Sequence, residues 1–232
     1  GSDAACQAAQ LVLLENDFSR MTDVVMEGRQ VVNNLERSGS LFLVKNLFSL
    51  LMAMFSIIFN IVYPLDPSQI TLISTFTIGM PGFFLSQVPD HNRIEGRFLS
   101  NILLRALPAG LTDALIVGAL VIFGKVFAVD HVDISTACTI LLAIVGFMIL
   151  FQISKPMNTY KWVIFGVSFV GLFFCAYALN DLFSITSMSK RCIMLFVVFS
   201  ICTEPLFRYL TMLLRFCRSF CHDMKEKYWV HL

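Results

Sequence analysis

Polar side chains lie inside stretches of this chain that are otherwise long and apolar enough to cross a lipid bilayer. Lys45 and Asn46 fall about one turn inside the first such stretch and Ser49 follows them, while Ser74 and Thr77 lie in the second. Hydroxyl, amide and carbonyl oxygens suit a hard cation better than a soft one. Because a tight loop joins the two stretches, the pattern predicts an oxygen-lined cation site between them.

A purely structural role of the same residues stays open. Ser and Thr hydroxyls inside helices often donate to the carbonyl one turn back, and the ammonium of Lys45 could reach the membrane surface at the end of its alkyl chain. In a cation site, the polar side chains of the two stretches would face one another. In the structural role, each hydroxyl would bond to its own helix and the ammonium of Lys45 would point to the surface.

Two carboxylates, Asp113 and Glu204, also lie at membrane depth, where an ionised side chain is costly and is by default a functional candidate. Glu204 has Arg208 four residues later on the same helical face, which favours a structural ion pair. Asp113 follows Pro108 near the predicted start of the third span. Its carboxylate is expected either to reach headgroup water or to form part of an ion exit path.

The sequence contains no recognisable catalytic or cofactor-binding motif: it lacks a nucleophile elbow, a Gly-rich phosphate loop and an HExxH zinc motif. Its 7 cysteines form no CxxC pair, and we interpret them as small packing residues. Cys217, Cys221 and His222 offer an alternative, because residues four apart share a helical face and could hold a soft metal.

Composition assigns most of the chain to a membrane. It is 57% hydrophobic and 14% charged, with a mean hydropathy of +0.76, whereas soluble domains are about one-quarter charged. The basic residues are dispersed, which excludes a nucleic-acid partner. We predict an all-α polytopic fold in the lipid bilayer, with a transmembrane domain over 41–214 and spans at 41–63, 69–85, 107–127, 134–153, 162–179 and 193–214.

The elements that would position the polar residues are a long helix and a weak one. Apolar residues near helical spacing predict that a helix starting at Phe18 continues unbroken into the first span. The second span contains Gly79, Pro81 and Gly82, and a proline removes one helical hydrogen bond. This span is therefore expected to open easily.

The distribution of basic residues predicts the orientation. If the N-terminus is cytoplasmic, the outer loops hold only Lys125, Lys190 and Arg191 of the 17 Lys and Arg residues. Cytoplasmic loops are rich in Lys and Arg. We predict a multi-pass protein of the cell membrane with both termini, including a tail over 215–232, in the cytoplasm.

The first 17 residues predict a short helix over 4–9 and a strand over 11–14. They lack an initiator Met and the features of a signal peptide. We interpret them as the interior of a domain, so the chain is expected to lack an N-terminal part.

Three segments together resemble the C-terminal third of P-type cation-transporting ATPases. They are SDAACQAAQLVLLENDF, EGRQVVNNLERSGSLFLVKN and YPLDPSQITLISTFTIGMPGFFL. The likeness is greatest to the bacterial subgroup labelled cation-transporting ATPase E. It implies that 1–17 closes an α/β, HAD-like phosphorylation domain, that 18–40 is a stalk helix, and that the spans are helices five to ten of the pump. The short sixth helix of the family carries a Gly-x-Pro element, here Gly79, Met80 and Pro81.

The resemblance also implies functions and ligands. ATP and Mg²⁺ would act on the N-terminal part that is expected to be missing, because the DKTGT motif is not in this sequence. The cation ligands of calcium pumps fall on Asn46, Ser49, Ser74, Thr77 and Ile78. Since Ile78 replaces a carboxylate, fewer ions, a less charged ion, or a dependence on the family's fourth helix is expected.

We therefore expect the membrane half of an ATP-driven pump for calcium or a similar hard cation, inactive without its N-terminal part. Two alternatives stay open. One is a free-standing passive channel, carrier or scaffold with six spans, and the other is an inactive product of a split or truncated pump gene. The reading frame upstream of Gly1 would distinguish them.

Overall fold

The computed structural model describes residues 3–10, 12, 17–90, 92–94 and 96–229, with side chains as far as Cys217. Its first helix, α1 (Asp3–Ala8), agrees with the helix predicted over 4–9. The predicted strand over 11–14 lies outside the described residues except for Val12, which belongs to no regular element. The described residues form helices and no strand, so the predicted all-α fold class is confirmed.

One long helix, α2 (Met21–Phe59), carries the chain into the apolar bundle. The 3-10 turn Phe18–Arg20 precedes it, and the Asp17 carboxylate accepts hydrogen bonds from the Ser19 hydroxyl at 2.7 Å and the Ser19 amide at 3.0 Å. These two donors hold the pKa of Asp17 below its usual value. With 39 residues, α2 is about 58 Å long, and it continues unbroken from the polar segment into the first apolar stretch, as the sequence predicted.

Helix α2 ends before the predicted end of the first span at Tyr63. The physical reason lies at Asn60, which has left-handed backbone angles (φ 49°, ψ 52°) and ends the helix. The next helix begins after Asp66, where the Asp66 side chain and the Gln69 side chain each bond to the other's backbone amide in a capping box. Tyr63 therefore lies in the connection between the two spans.

The second span, Pro67–Ser86, consists of α3 (Pro67–Ser74), a π turn (Thr75–Gly79) and α4 (Met80–Ser86). The Met80 amide bonds to the Thr75 carbonyl five residues back, which widens the helix at this point. Pro81 has no amide hydrogen, so a carbonyl in the preceding turn lacks its helical donor. The span predicted to open easily stays helical by widening one turn.

Four more helices follow, and each begins three or more residues before the predicted span. They are α5 (Phe98–Val126), α6 (His131–Ile153), α7 (Thr159–Ala178) and α8 (Lys190–Trp229). Pro108 lies inside α5 without ending it, because helices packed among neighbours tolerate proline. Cys217 is exposed, and the side chains of Cys221 and His222 lie outside the described residues. Within the part of the chain that the structure describes, six helical segments have the length and apolarity needed to cross a membrane.

Helices α5 and α6 form the centre of the bundle, with fully buried side chains such as Val117 and Leu141. Helix α2 packs along α5, and Gly110 permits this approach, because a Cβ atom there would lie 2.7 Å from Leu47 Cδ2. Helices α2, α7 and α8 expose large apolar side chains. Such surfaces suit contact with lipid.

Candidate functional site

A small cavity lies where α2, the second span, α5 and α6 meet. Its volume is about 40 Å³, and a cavity needs roughly 10–15 Å³ to hold one water molecule, so a few waters or one cation would fit. The positions that line it recur every three or four residues along each helix, as one helical face requires. They are Leu41, Val44, Lys45 and Phe48 of α2; Ile70, Ile73, Ser74, Thr77 and Ile78 of the second span; Asp113 of α5; and Leu142, Gly146 and Ile149 of α6.

Two of the predicted ligands, Ser74 and Thr77, line this cavity together. The Ser74 hydroxyl donates to the Ile70 carbonyl at 2.6 Å, and the Thr77 hydroxyl donates to the Ile73 carbonyl at 2.8 Å. The structural role of these residues is thus observed. It does not compete with ligation, because a hydroxyl that donates its hydrogen keeps its oxygen lone pairs as acceptors. Both oxygens can therefore accept a cation.

The π turn places Thr77 in an unusual stretch of backbone. Such turns are rare and are frequently found at functional sites. Here the turn coincides with a buried Thr77, which is 2% exposed, and with the carbonyl that Pro81 leaves without a donor. The backbone irregularity and the cavity thus occur at the same level of the second span.

The cavity also brings together two residues of opposite charge, Lys45 from α2 and Asp113 from α5. Because α5 begins at Phe98, Asp113 lies about 22 Å along the helix, near its middle. The expectation that its carboxylate reaches headgroup water fails, since Asp113 is 4% exposed and lies inside the bundle. Helix α5 begins nine residues before 107, the predicted start of this span.

The Asp113 carboxylate is incompletely paired. Its Oδ1 atom has no hydrogen-bond partner among the described residues, and in the same part of the chain no Lys or Arg nitrogen lies within 4.0 Å of it. An aspartate at the centre of a membrane helix costs about 3 kcal/mol. A buried, unpaired carboxylate beside two hydroxyl oxygens can bind a cation, which would offset that cost.

The remaining candidates lie elsewhere. Asn46 is exposed on the surface of α2, and Ser49 shares a side-chain hydrogen bond with Tyr63. Glu204 pairs with Arg208 on the exposed side of α8, as the spacing predicted. Within this chain, the structure does not bring these side chains to the cavity.

Sequence reasoning missed a set of contacts that tie α2 to the end of the second span. Arg37 donates to the Leu85 carbonyl at 3.2 Å and forms an ion pair with Asp90 at 2.9 Å. Asn34 donates to the Ser86 carbonyl at 2.9 Å. We call these contacts the stalk clamp. The clustering of polar residues just before an apolar span was its only signal in the sequence.

A second missed residue is Gln69, which is fully buried at the other end of the same span. Its amide group donates to the Ser184 carbonyl at 3.2 Å, and its oxygen accepts from the Ser135 hydroxyl at 2.7 Å and the Asp66 amide at 3.1 Å. The second span is thus fixed at both ends, with the cavity between them.

The relatives of this chain are cation-transporting ATPases. Calcium-transporting ATPase CtpE of Mycolicibacterium smegmatis is 35% identical over 176 residues, which are 70% of this chain and 22% of that protein. Probable cation-transporting ATPase exp7 of Streptococcus pneumoniae is 33% identical over 169 residues, which are 69% of this chain and 22% of that protein. The chain belongs to the P-type cation-transporting ATPases. The resemblance given by the three sequence segments is confirmed.

No family model matches the chain. The P-type ATPases that it matches are much longer, and it spans about a fifth of the length of the two bacterial ones. The relationship leaves the cation open, since sodium/potassium-transporting ATPase subunit alpha-1 of Catostomus commersonii is 35% identical over 86 residues, 37% of this chain and 8% of that protein. The passive alternative is not favoured by these relatives.

Membership in the P-type ATPases implies ATP and Mg²⁺ in general. The described residues contain no group of three His, Cys, Asp or Glu side chains that could hold a metal, and the sequence has no DKTGT motif. We therefore assign neither ATP nor catalytic Mg²⁺ to the residues of this chain.

Proposed function

We propose that this chain is the membrane part of an ATP-driven pump for calcium or a similar hard cation. The observation that carries the proposal is the cavity that collects the Ser74 and Thr77 hydroxyls with Asp113 at the middle of the bundle. Oxygen ligands in a cavity of this size suit a small hard cation. Residues 1–17 would close the phosphorylation domain and 18–40 would form the stalk.

Coupling would run through α2. This helix is continuous from the N-terminal segment to the cavity, about 36 Å from Met21 to Lys45 at 1.5 Å per residue. The stalk clamp joins it to the end of the second span through Arg37 and Asn34. A movement of α2 that follows aspartyl phosphorylation elsewhere in the protein would therefore move both walls of the cavity and open it alternately to each side.

The predicted ligand set divides into two pairs. Ser74 and Thr77 would bind the cation directly inside the cavity. Asn46 and Ser49 would contribute from α2 only if α2 rotates or another part of the protein lies against its exposed face, as expected for the fourth helix of the family. On this proposal, the present chain supplies part of the cation site, and another part of the protein supplies the remaining ligands.

The charge distribution supports a plasma-membrane protein with both termini in the cytoplasm. Arg37, Arg105, Lys155 and Arg215 surround a polar cavity of about 450 Å³ at one end of the bundle. Basic residues favour the cytoplasmic side of a membrane. The same end carries the N-terminal part of α2, where the phosphorylation domain would attach.

The test uses the full-length protein and its cation-stimulated phosphorylation by ATP. The double variant Ser74→Ala with Thr77→Ala should need a higher cation concentration for half-maximal phosphorylation. Thr75→Ala is the matched control, since the Thr75 hydroxyl makes the same kind of bond, to the Thr71 carbonyl at 2.8 Å, on the exposed side of the span. Unchanged cation dependence in the double variant would remove Ser74 and Thr77 from the site.

A further inference from the structure

Asp113 is the one acidic residue among the described residues that line the cavity. Its side chain is more than nine-tenths buried, and Oδ1 has no hydrogen-bond partner in the part of the chain that the structure describes. The space in front of it is also lined by Ser74 and Thr77. The carboxylate therefore lies beside a space that fits a cation and offers two further oxygens.

We propose that Asp113 is the charged ligand of the transported cation. The inference rests on the proposed function, because it identifies the residue that gives the cavity its negative charge. The sequence offered no carboxylate for this purpose on the second span, where Ile78 lines the same cavity with an apolar side chain. The negative charge comes from α5, on another wall of the cavity.

The physical reason is electrostatic. Opposite charges attract much more strongly inside a membrane protein than in water, because the effective dielectric constant is lower. The hydroxyls of Ser74 and Thr77 supply oxygen dipoles but no net charge. Removing the carboxylate should therefore weaken cation binding more than removing either hydroxyl.

The direct test measures equilibrium binding of radioactive calcium to the purified full-length protein without ATP. Asp113→Asn removes the charge and keeps the size of the side chain. Glu204→Gln is the matched control, because it also removes a membrane-depth carboxylate, but one that is 53% exposed and paired with Arg208. We expect Asp113→Asn to weaken calcium binding by about tenfold or more and Glu204→Gln to leave it unchanged.

Thermal unfolding separates a ligand from a structural residue. In cation-free buffer, Asp113→Asn should raise the Tm, because an unpaired buried charge is removed. A carboxylate that holds the bundle together would give a lower Tm instead. At one calcium concentration, added calcium should raise the Tm of the wild type more than that of Asp113→Asn. Ile78→Asp added to Asp113→Asn should restore part of the calcium binding, since it returns a carboxylate to the same cavity.

The two proposals fail in different ways. Equal calcium affinity of the wild type and Asp113→Asn, or a lower Tm of this variant in cation-free buffer, would overturn the role of Asp113 and leave the pump proposal standing. Absence of binding of Ca²⁺, Mg²⁺, Mn²⁺, Na⁺ and K⁺ by the full-length wild type would overturn the proposed function, and the inference with it.

Discussion

Thr77 lies directly against the backbone of Gly146 in α6. A Cβ atom at Gly146 would stand 2.9 Å from Thr77 Cγ2 and 3.2 Å from Thr77 Oγ1. The Thr77 side chain is short and is held by its bond to the Ile73 carbonyl, so it cannot turn aside easily. The absence of a side chain at Gly146 thus sets the position of a proposed cation ligand.

Gly146→Ala is expected to displace Thr77 or to separate α6 from the second span. Overpacking of this kind costs about 1–3 kcal/mol, and we expect cation affinity to fall several-fold with it. The measurement is calcium-dependent phosphorylation of the full-length protein. Gly166→Ala in α7 is the matched control, because a Cβ atom there meets nothing within 4 Å. Equal cation dependence of the two variants would contradict the tight packing of Thr77.

Hydropathy predicted the six spans because an uninterrupted apolar stretch of about twenty residues is long enough to cross a bilayer and is rare in soluble domains. It could not place helix ends within polar sequence. Helix α5 starts at Phe98 rather than 107, since polar residues at the membrane surface continue the helix without adding hydropathy. Burial of Asp113 inside the bundle could not be predicted from the sequence, since it depends on which helices pack against α5.

The stalk clamp predicts a separation of coupling from binding. Asp90→Asn removes the charge that pairs with Arg37, whose side chain is buried. Hydrogen bonds to charged groups contribute about 1.5–3 kcal/mol, so this change should weaken the clamp. Because the clamp lies outside the cavity, calcium affinity at equilibrium should stay unchanged, whereas the rate of ATP hydrolysis at saturating calcium should fall.

Asp23→Asn, near the start of α2 and exposed, provides the control for removal of a stalk carboxylate. A change of calcium affinity in Asp90→Asn with an unchanged maximal rate would reverse the assignment and place the clamp in the binding step.

Gln69 predicts a stability effect at the opposite end of the second span. Gln69→Leu keeps the volume but leaves the Ser135 hydroxyl and the Ser184 carbonyl without their partner. An unsatisfied buried polar group costs about 1–3 kcal/mol, so the Tm of the protein in detergent or lipid should fall. Gln87→Leu, just past the end of the same span, should have little effect. A Tm equal to that of the wild type would show that the Gln69 contacts add nothing to stability.

Only part of the candidate site could be predicted from the sequence. Ser74 and Thr77 were found because they are polar residues inside a span that was itself predictable, and because the resemblance to P-type ATPases places cation ligands at these positions. Asp113 and Gly146 reach the cavity only because α5 and α6 meet the second span there. Both residues are distant from that span in sequence, so the sequence alone could not place them there. Asn46 was predicted from its position in the first span, yet α2 turns it to the exposed surface, because Lys45 and Phe48 occupy the inner face.

Lys45 predicts an effect of opposite sign to Asp113. Its side chain lines the same cavity, so its ammonium group repels a cation that enters. Calcium carries two positive charges, so the ammonium group repels it strongly at the low effective dielectric constant of a membrane protein. Lys45→Met keeps the unbranched side chain and removes the charge, and calcium affinity should rise by about tenfold or more. Lys155→Met is the control, because Lys155 lies over the Phe151 ring at 4.9 Å, away from the cavity. A lower calcium affinity in Lys45→Met would mean that the ammonium stabilises the binding-competent arrangement of the cavity rather than opposing the cation.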